Sequence, residues 1–258
     1  MFFNMRTNIS KYYLYKFFNS LAFFSPVLVL FWQSRGLSLT QIMLLESIYS
    51  LGVVALELPT GAFADYIGKR ISLILGSLFF TVGLCLYGIS IHFWHFVIGE
   101  LIVAIGMALI SGTDRAFIHE TLRELNREKE YKKIEGKAQG IGRVAQVIGN
   151  LFGGMIGSIS LSLTLIITGI STLIGSFVGI SFTKTTKELP REEETNYLGI
   201  IKESLKIVHN NRRLLWLILF FSSFNALIWS INWFAQPYLQ KLNVPIVYFG
   251  IIFAAFSL

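Results

Sequence analysis

Four ionisable residues lie within stretches otherwise apolar enough to be buried in lipid: Glu46, Glu57, Glu100 and Arg143. A charge at the centre of a bilayer costs about 2.5–3.5 kcal/mol on insertion scales and more on others, so each needs a partner, a proton or a task. Counting about 1.5 Å per helical residue, Glu46 and Glu100 sit about 9–10 Å from one end of their runs, with no base at that depth. A buried carboxylate without a base favours its protonated form, because desolvation penalises the charge. Such a group can exchange a proton or hold a cation. Glu57 and Arg143 lie about 10 and 8 Å from the opposite ends of their runs, which makes them a candidate ion pair or a packing pair. Among neutral groups, Asn19, Gln146, Asn150, Asn225 and Asn232 either line a polar path or act as packing glue between helices. Asn232 is spaced to share a helical face with Trp229, Trp233 and Gln236.

A second constellation runs from Gly61 to Arg70. Asp65 stands four residues before Lys69, with Arg70 next to it, and Gly61 and Gly68 punctuate the stretch. Apolar runs flank it on both sides, so it reads as a sharp, charged reversal at a membrane face.

Hydrophobic residues make up 53% of the 258 and charged ones only 14%, against about 25% charged in soluble domains. That excludes an ordinary soluble protein. Crossing the hydrocarbon core takes about 20 apolar residues, and seven runs qualify: 13–32, 39–63, 71–90, 93–112, 138–158, 161–182 and 214–235. An eighth begins near Ile246, and the chain is expected to end inside it. With the N-terminus inside, nineteen of the 22 Lys and Arg fall in cytoplasmic segments and only Arg35 and Lys241 outside, as the positive-inside rule requires. The net charge of +7 is thereby explained without nucleic acid as a partner. Residues 114–137 read as charged extensions of the fourth and fifth helices. Residues 183–213 read as a cytoplasmic linker, whose Ile201, Leu205 and Val208 share one face suited to the inner membrane surface. The single cysteine, Cys85, is expected to be buried and inert. No metal-ligand set, cofactor motif, phosphate loop or enzyme signature stands out.

The Gly61–Arg70 stretch resembles the signature loop between helices 2 and 3 of the major facilitator superfamily (MFS) of transporters: Gly61, Asp65, Gly68, Lys69 and Arg70 match, while Tyr66 replaces a usual base. The lead-in Glu57-Leu58-Pro59-Thr60 is similar to that of one branch of the family. Ser111-Gly112-Thr113-Asp114 with Ala116 and Glu120-Thr121-Leu122 resembles the end of its helix 4. Gly149, Gly153, Gly154 and Gly157 are similar to its glycine-rich fifth helix, without the proline of the antiporter version. The resemblance implies a conformational latch in which Asp65, Lys69 and Glu120 cluster, with Gly61, Gly68 and Arg70 shaping it. It also implies helices 1, 4 and 7 around a cavity.

The expected fold is therefore an all-α integral membrane protein: a six-helix N-terminal bundle over residues 1–182, a linker over 183–213, and the first one to two helices of a second bundle over 214–258. The expected function is proton-coupled secondary transport of a small-molecule substrate, of multidrug-efflux type, in the plasma membrane. The lipid bilayer and the proton are its other partners. The alternatives are a truncated facilitator fragment without transport, a regulatory membrane protein, and a seven-helix receptor, which the charge split opposes.

Overall fold

The computed structural model describes residues 2–183 and 210–257, so most of the expected linker, including Ile201–Val208, lies outside the described residues. Every regular element among the described residues is helical: α1 (Phe2–Ser20), α2 (Leu28–Ser34), α3 (Leu39–Ile67), α4 (Lys69–Ile89), α5 (Phe93–Ile110), α6 (Thr113–Glu124), a short 3₁₀ turn (Glu128–Glu130), α7 (Tyr131–Ile159), α8 (Leu161–Ile180), α9 (Arg212–Lys241) and α10 (Ile246–Phe256). Five stretches are long and apolar enough to cross a membrane: α3, α4, α5 with α6, α8 and α9. The expected fifth span lies within α7, where Gln139, Arg143, Gln146 and Asn150 dilute the apolar run.

The first expected span, 13–32, is not one helix. It breaks between Ser20 and Leu28, leaving α1 and α2 on either side. Pro26 lies in the gap and brings no main-chain donor. The reversal at Gly61–Arg70 also differs from expectation. Helix α3 continues through Gly61 to Ile67, and the turn is a single residue, Gly68, which caps α3 and starts α4 at φ +97°. Only glycine adopts that φ at little cost. Gly112, at φ +73°, makes the corresponding joint between α5 and α6. Across Gly112 the chain runs on, and Phe93–Glu124 forms one apolar stretch of 32 residues.

The helices pack side by side, with α10 seated on α7. α1 lies against α7 and α8, α4 against α5 and α8, and α3 against α5. Two apolar clusters lie among them. One gathers Tyr12, Tyr15, Leu73, Phe117, Ile118, Leu122 and Phe182 at the end that carries Lys69, here the basic end. The other gathers Leu28, Phe31, Trp32, Ile42, Leu45, Tyr87 and Phe96 toward the opposite end. Outward faces stay apolar, with Leu51, Val54, Ile98, Ile166 and Phe177 exposed, as a lipid-facing surface requires. Cys85 is on that exposed surface rather than buried.

The α7 glycines bring three elements together. A Cβ on Gly149 would lie 2.9 Å from the Ala22 nitrogen, one on Gly153 would collide with the Phe23 carbonyl oxygen, and one on Gly154 would lie 2.5 Å from the Gly250 nitrogen of α10. Gly157 faces Val27 in the same way. Gly61, by contrast, has nothing within 4 Å of such an atom. Gly153→Ala should therefore cost about 1–3 kcal/mol of stability through overpacking. Gly61→Ala should be neutral or stabilising by up to about 1 kcal/mol. Thermal unfolding of both variants in nanodiscs checks the order.

Candidate functional site

At the basic end, charges tie the helices together. Lys69 Nζ donates to Glu120 Oε1 at 2.6 Å and to Asp65 Oδ1 at 3.2 Å. The first bond is partly buried, with the two side chains 15% and 18% exposed, whereas Asp65 is 70% exposed. Exposed pairs contribute about 0.2–1 kcal/mol, and a charge left unpaired after burial costs several times that. Lys69–Glu120 is thus the stronger half of this cluster. Arg70 turns away from it and donates to the Ile180 carbonyl at the end of α8, where a cation also suits the helix dipole.

Other ties complete the ring. Lys16 of α1 pairs with Asp114 of α6, and Lys11 donates to the Ser181 carbonyl. The Tyr12 hydroxyl donates to Glu135 Oε2 at 2.8 Å. Asn8 and Thr183 exchange two hydrogen bonds, at 2.8 and 3.0 Å. In the turn before α7, Arg127 grips Glu130 through two bonds of 2.6 and 2.7 Å, which hold the Glu130 carboxyl below its ordinary pKa. The Lys16–Asp114 pair was not anticipated from sequence. Lys16 reads there as one of several orienting bases.

Toward the opposite end lies a cavity of about 190 Å³. Its wall takes Ala22, Phe24, Ser25 and Leu28 from the break in the first span, Glu46 and Tyr49 from α3, and Phe80, Leu84 and Tyr87 from α4. Glu100 and Val103 of α5, Gln146 of α7 and Trp229 and Trp233 of α9 complete it. Glu46 and Glu100, expected separately, share this cavity, and among the described residues no base lines it. Glu100 is 3% exposed, and its Oε1 is buried without a hydrogen-bond partner. Six aromatic side chains line the cavity beside the two carboxylates. The Trp229 and Trp233 rings stack 6.3 Å apart, and Trp233 lies 6.2 Å from Trp32. Such an arrangement can bind a cation or a proton, because π-faces and carboxylates attract positive charge in a medium that screens it poorly.

Several expected groupings are not formed. Glu57 and Arg143 make no ion pair among the described residues. Glu57 instead accepts from the Ser111 hydroxyl at 3.2 Å, and Arg143 is exposed on α7, because α3 packs on α5 rather than on α7. Asn19 does not reach the cavity. Its amide bonds the Tyr15 carbonyl and accepts from Ser77 at 2.9 Å, joining α1 to α4 as glue. Asn150 donates to the Phe253 carbonyl and to Ser257, at 3.1 and 2.8 Å, fastening α7 to α10. Asn232 bonds back to Ile228 in its own helix. The side chain of Asn225 lies outside the described residues. Of the neutral candidates whose side chains are described, only Gln146 lines the cavity. Trp229 and Trp233 lie on the helical face that the sequence offers for a path, whereas among 23 Phe and 10 Tyr nothing marks Phe24, Tyr49, Phe80 and Tyr87 as turning inward.

A broken first span, a charge-locked joint between α3 and α4 and a carboxylate-bearing cavity thus stand together among helices of membrane-crossing length. The family model of the Major Facilitator Superfamily matches residues 14–258, and the chain belongs to that family. The uncharacterized MFS-type transporter YxaM of Bacillus subtilis (strain 168) is 28% identical to it over 252 residues, covering 91% of this chain and 59% of the relative. The chain thus spans about three-fifths of the length of that curated relative. Membership places the chain among families of membrane transporters.

Removing Glu120's charge should matter more than removing Asp65's. Glu120→Gln should lose about 1–3 kcal/mol and Asp65→Asn about 0.5 kcal/mol or less, read as unfolding midpoints of the two variants in one membrane mimic.

Proposed function

We propose that the protein is a proton-coupled secondary transporter of small lipophilic cations, working as an exporter by antiport in the plasma membrane. The N-terminus and the basic end face the cytoplasm, as the distribution of Lys and Arg supports. Residues 1–182 form one of two bundles joined by the cytoplasmic linker, and 214–258 begin the second.

One observation carries this reading: two carboxylates, Glu46 and Glu100, share an aromatic cavity without a base, and one Glu100 oxygen has no partner. A proton and an organic cation then compete for the same negative sites. Occupancy by one expels the other, and that competition is the coupling. Aromatic faces add about 0.5–2 kcal/mol for each well-placed cation contact. They also reject anions and strongly hydrated ions. The Lys69–Glu120 and Lys69–Asp65 contacts act as the latch at the basic end. They bias which face of the cavity is closed and do not touch the substrate. A ligand that shifts this bias must bind the two states with different affinities.

The test uses proteoliposomes with an imposed pH gradient and radiolabelled benzyltrimethylammonium as probe. Movement of the probe against its own gradient should follow the pH gradient, and Glu100→Gln should lower the rate at least tenfold. A rate independent of pH, or unchanged by that substitution, contradicts the reading.

A further inference from the structure

The break in the first span leaves main-chain groups without helical partners inside an apolar layer, where each unmet group costs several kcal/mol. Local turns satisfy some of them: Ala22 N–H donates to the Ser20 carbonyl, Ser25 N–H to Ala22 and Val27 N–H to Phe24. Phe23 N–H donates to the Thr168 hydroxyl of α8 at 3.0 Å. Two further groups are met by one side chain. Gln236 of α9 accepts from Val29 N–H at 2.8 Å and donates to the Ser25 carbonyl at 3.0 Å.

A primary amide fits this task because it presents a donor and an acceptor side by side, as the missing turn of helix would. Gln236 is fully buried, although most of α9 around it is exposed. The splint therefore comes from the far side of the linker, while the strand of backbone it holds supplies Ala22, Phe24, Ser25 and Leu28 to the cavity wall. Next to it, Trp233 rests on Trp32. We infer that Gln236 is a positioning residue: it completes the broken first helix from across the linker, so that the cavity wall takes its shape only while α9 is seated at the end opposite Lys69. Withdrawal of α9 would strand Ser25 O and Val29 N–H together. Seating and opening are thereby two discrete arrangements rather than a continuum. Thr168 does the same chemistry within the first six spans and carries no such coupling.

Spin labels on Ser34→Cys and Lys241→Cys, in a Cys85→Ser background, report the separation of α2 and α9 at that end in nanodiscs by electron–electron double resonance. The otherwise native chain should give a short, dominant distance. Gln236→Met, close in size but without either bond, should move more than half of the population to longer distance. Thr168→Val should leave the distribution in place. Gln236→Asn keeps the amide but is one methylene short of spanning both groups, and it should behave as Met does; it serves if the Met variant does not fold. An unchanged distribution in the Gln236 variants overturns the inference. So does an equal shift in Thr168→Val, because it would mean that any loosening of the break has the same effect.

Discussion

Inside a hydrocarbon layer every backbone N–H and C=O must find its partner within the protein, and that constraint organises this molecule. The first span violates helical continuity at Leu21–Val27, and much of the architecture answers the violation. Glycines 149, 153 and 157 on α7 let the irregular backbone come close. Thr168 from α8 and Gln236 from α9 cap its free groups. What the irregular segment gives in return is a concave wall, which an unbroken helix flanked by bulky residues would have filled. Irregular backbone at membrane depth is tolerated where it is buried in protein or lines a cavity, and here it does both.

Charge is treated differently at the two ends. Around Lys69, each named acid or base has a partner: Lys69 with Glu120 and Asp65, Lys16 with Asp114, Arg115 within 3.6 Å of Glu135. Lys69–Glu120 and Lys16–Asp114 join helices that are distant in sequence, so they hold one packing arrangement. In the cavity the carboxylates of Glu46 and Glu100 meet aromatic rings and no base. On the proposed reading, pairing serves conformation and its absence serves binding. The same residue type, glutamate, takes opposite roles because its surroundings differ.

The outline of the molecule was legible in the sequence, since long apolar runs and their charged ends obey strong constraints on length and solvation. Helix boundaries at Leu39, Phe93 and Leu161 fall where the apolar runs begin, and the Asp65–Lys69–Glu120 cluster follows from the family resemblance. The break in the first span was not legible. Pro26 alone does not end a membrane helix, and the partners that stabilise the break, Thr168 and Gln236, are about 145 and 210 residues away and look like ordinary polar residues in apolar runs. The Glu57–Arg143 pairing failed for a related reason: depth along a helix is written in the sequence, but rotation about its axis and the choice of neighbour are not. Asn19 and Asn150 show the same ambiguity, since a packing amide and a path-lining amide have identical local sequence signals.

If unanswered polarity marks the functional site, Glu100 is the carboxyl group that must differ chemically from the rest. An apolar carbodiimide modifies carboxylic acids in apolar surroundings, and peptide mass spectrometry locates the adduct. The account predicts modification at Glu100, with Glu57, held by Ser111, and Glu120, held by Lys69, left intact. Reaction at Glu57 or Glu120 with Glu100 untouched would contradict it.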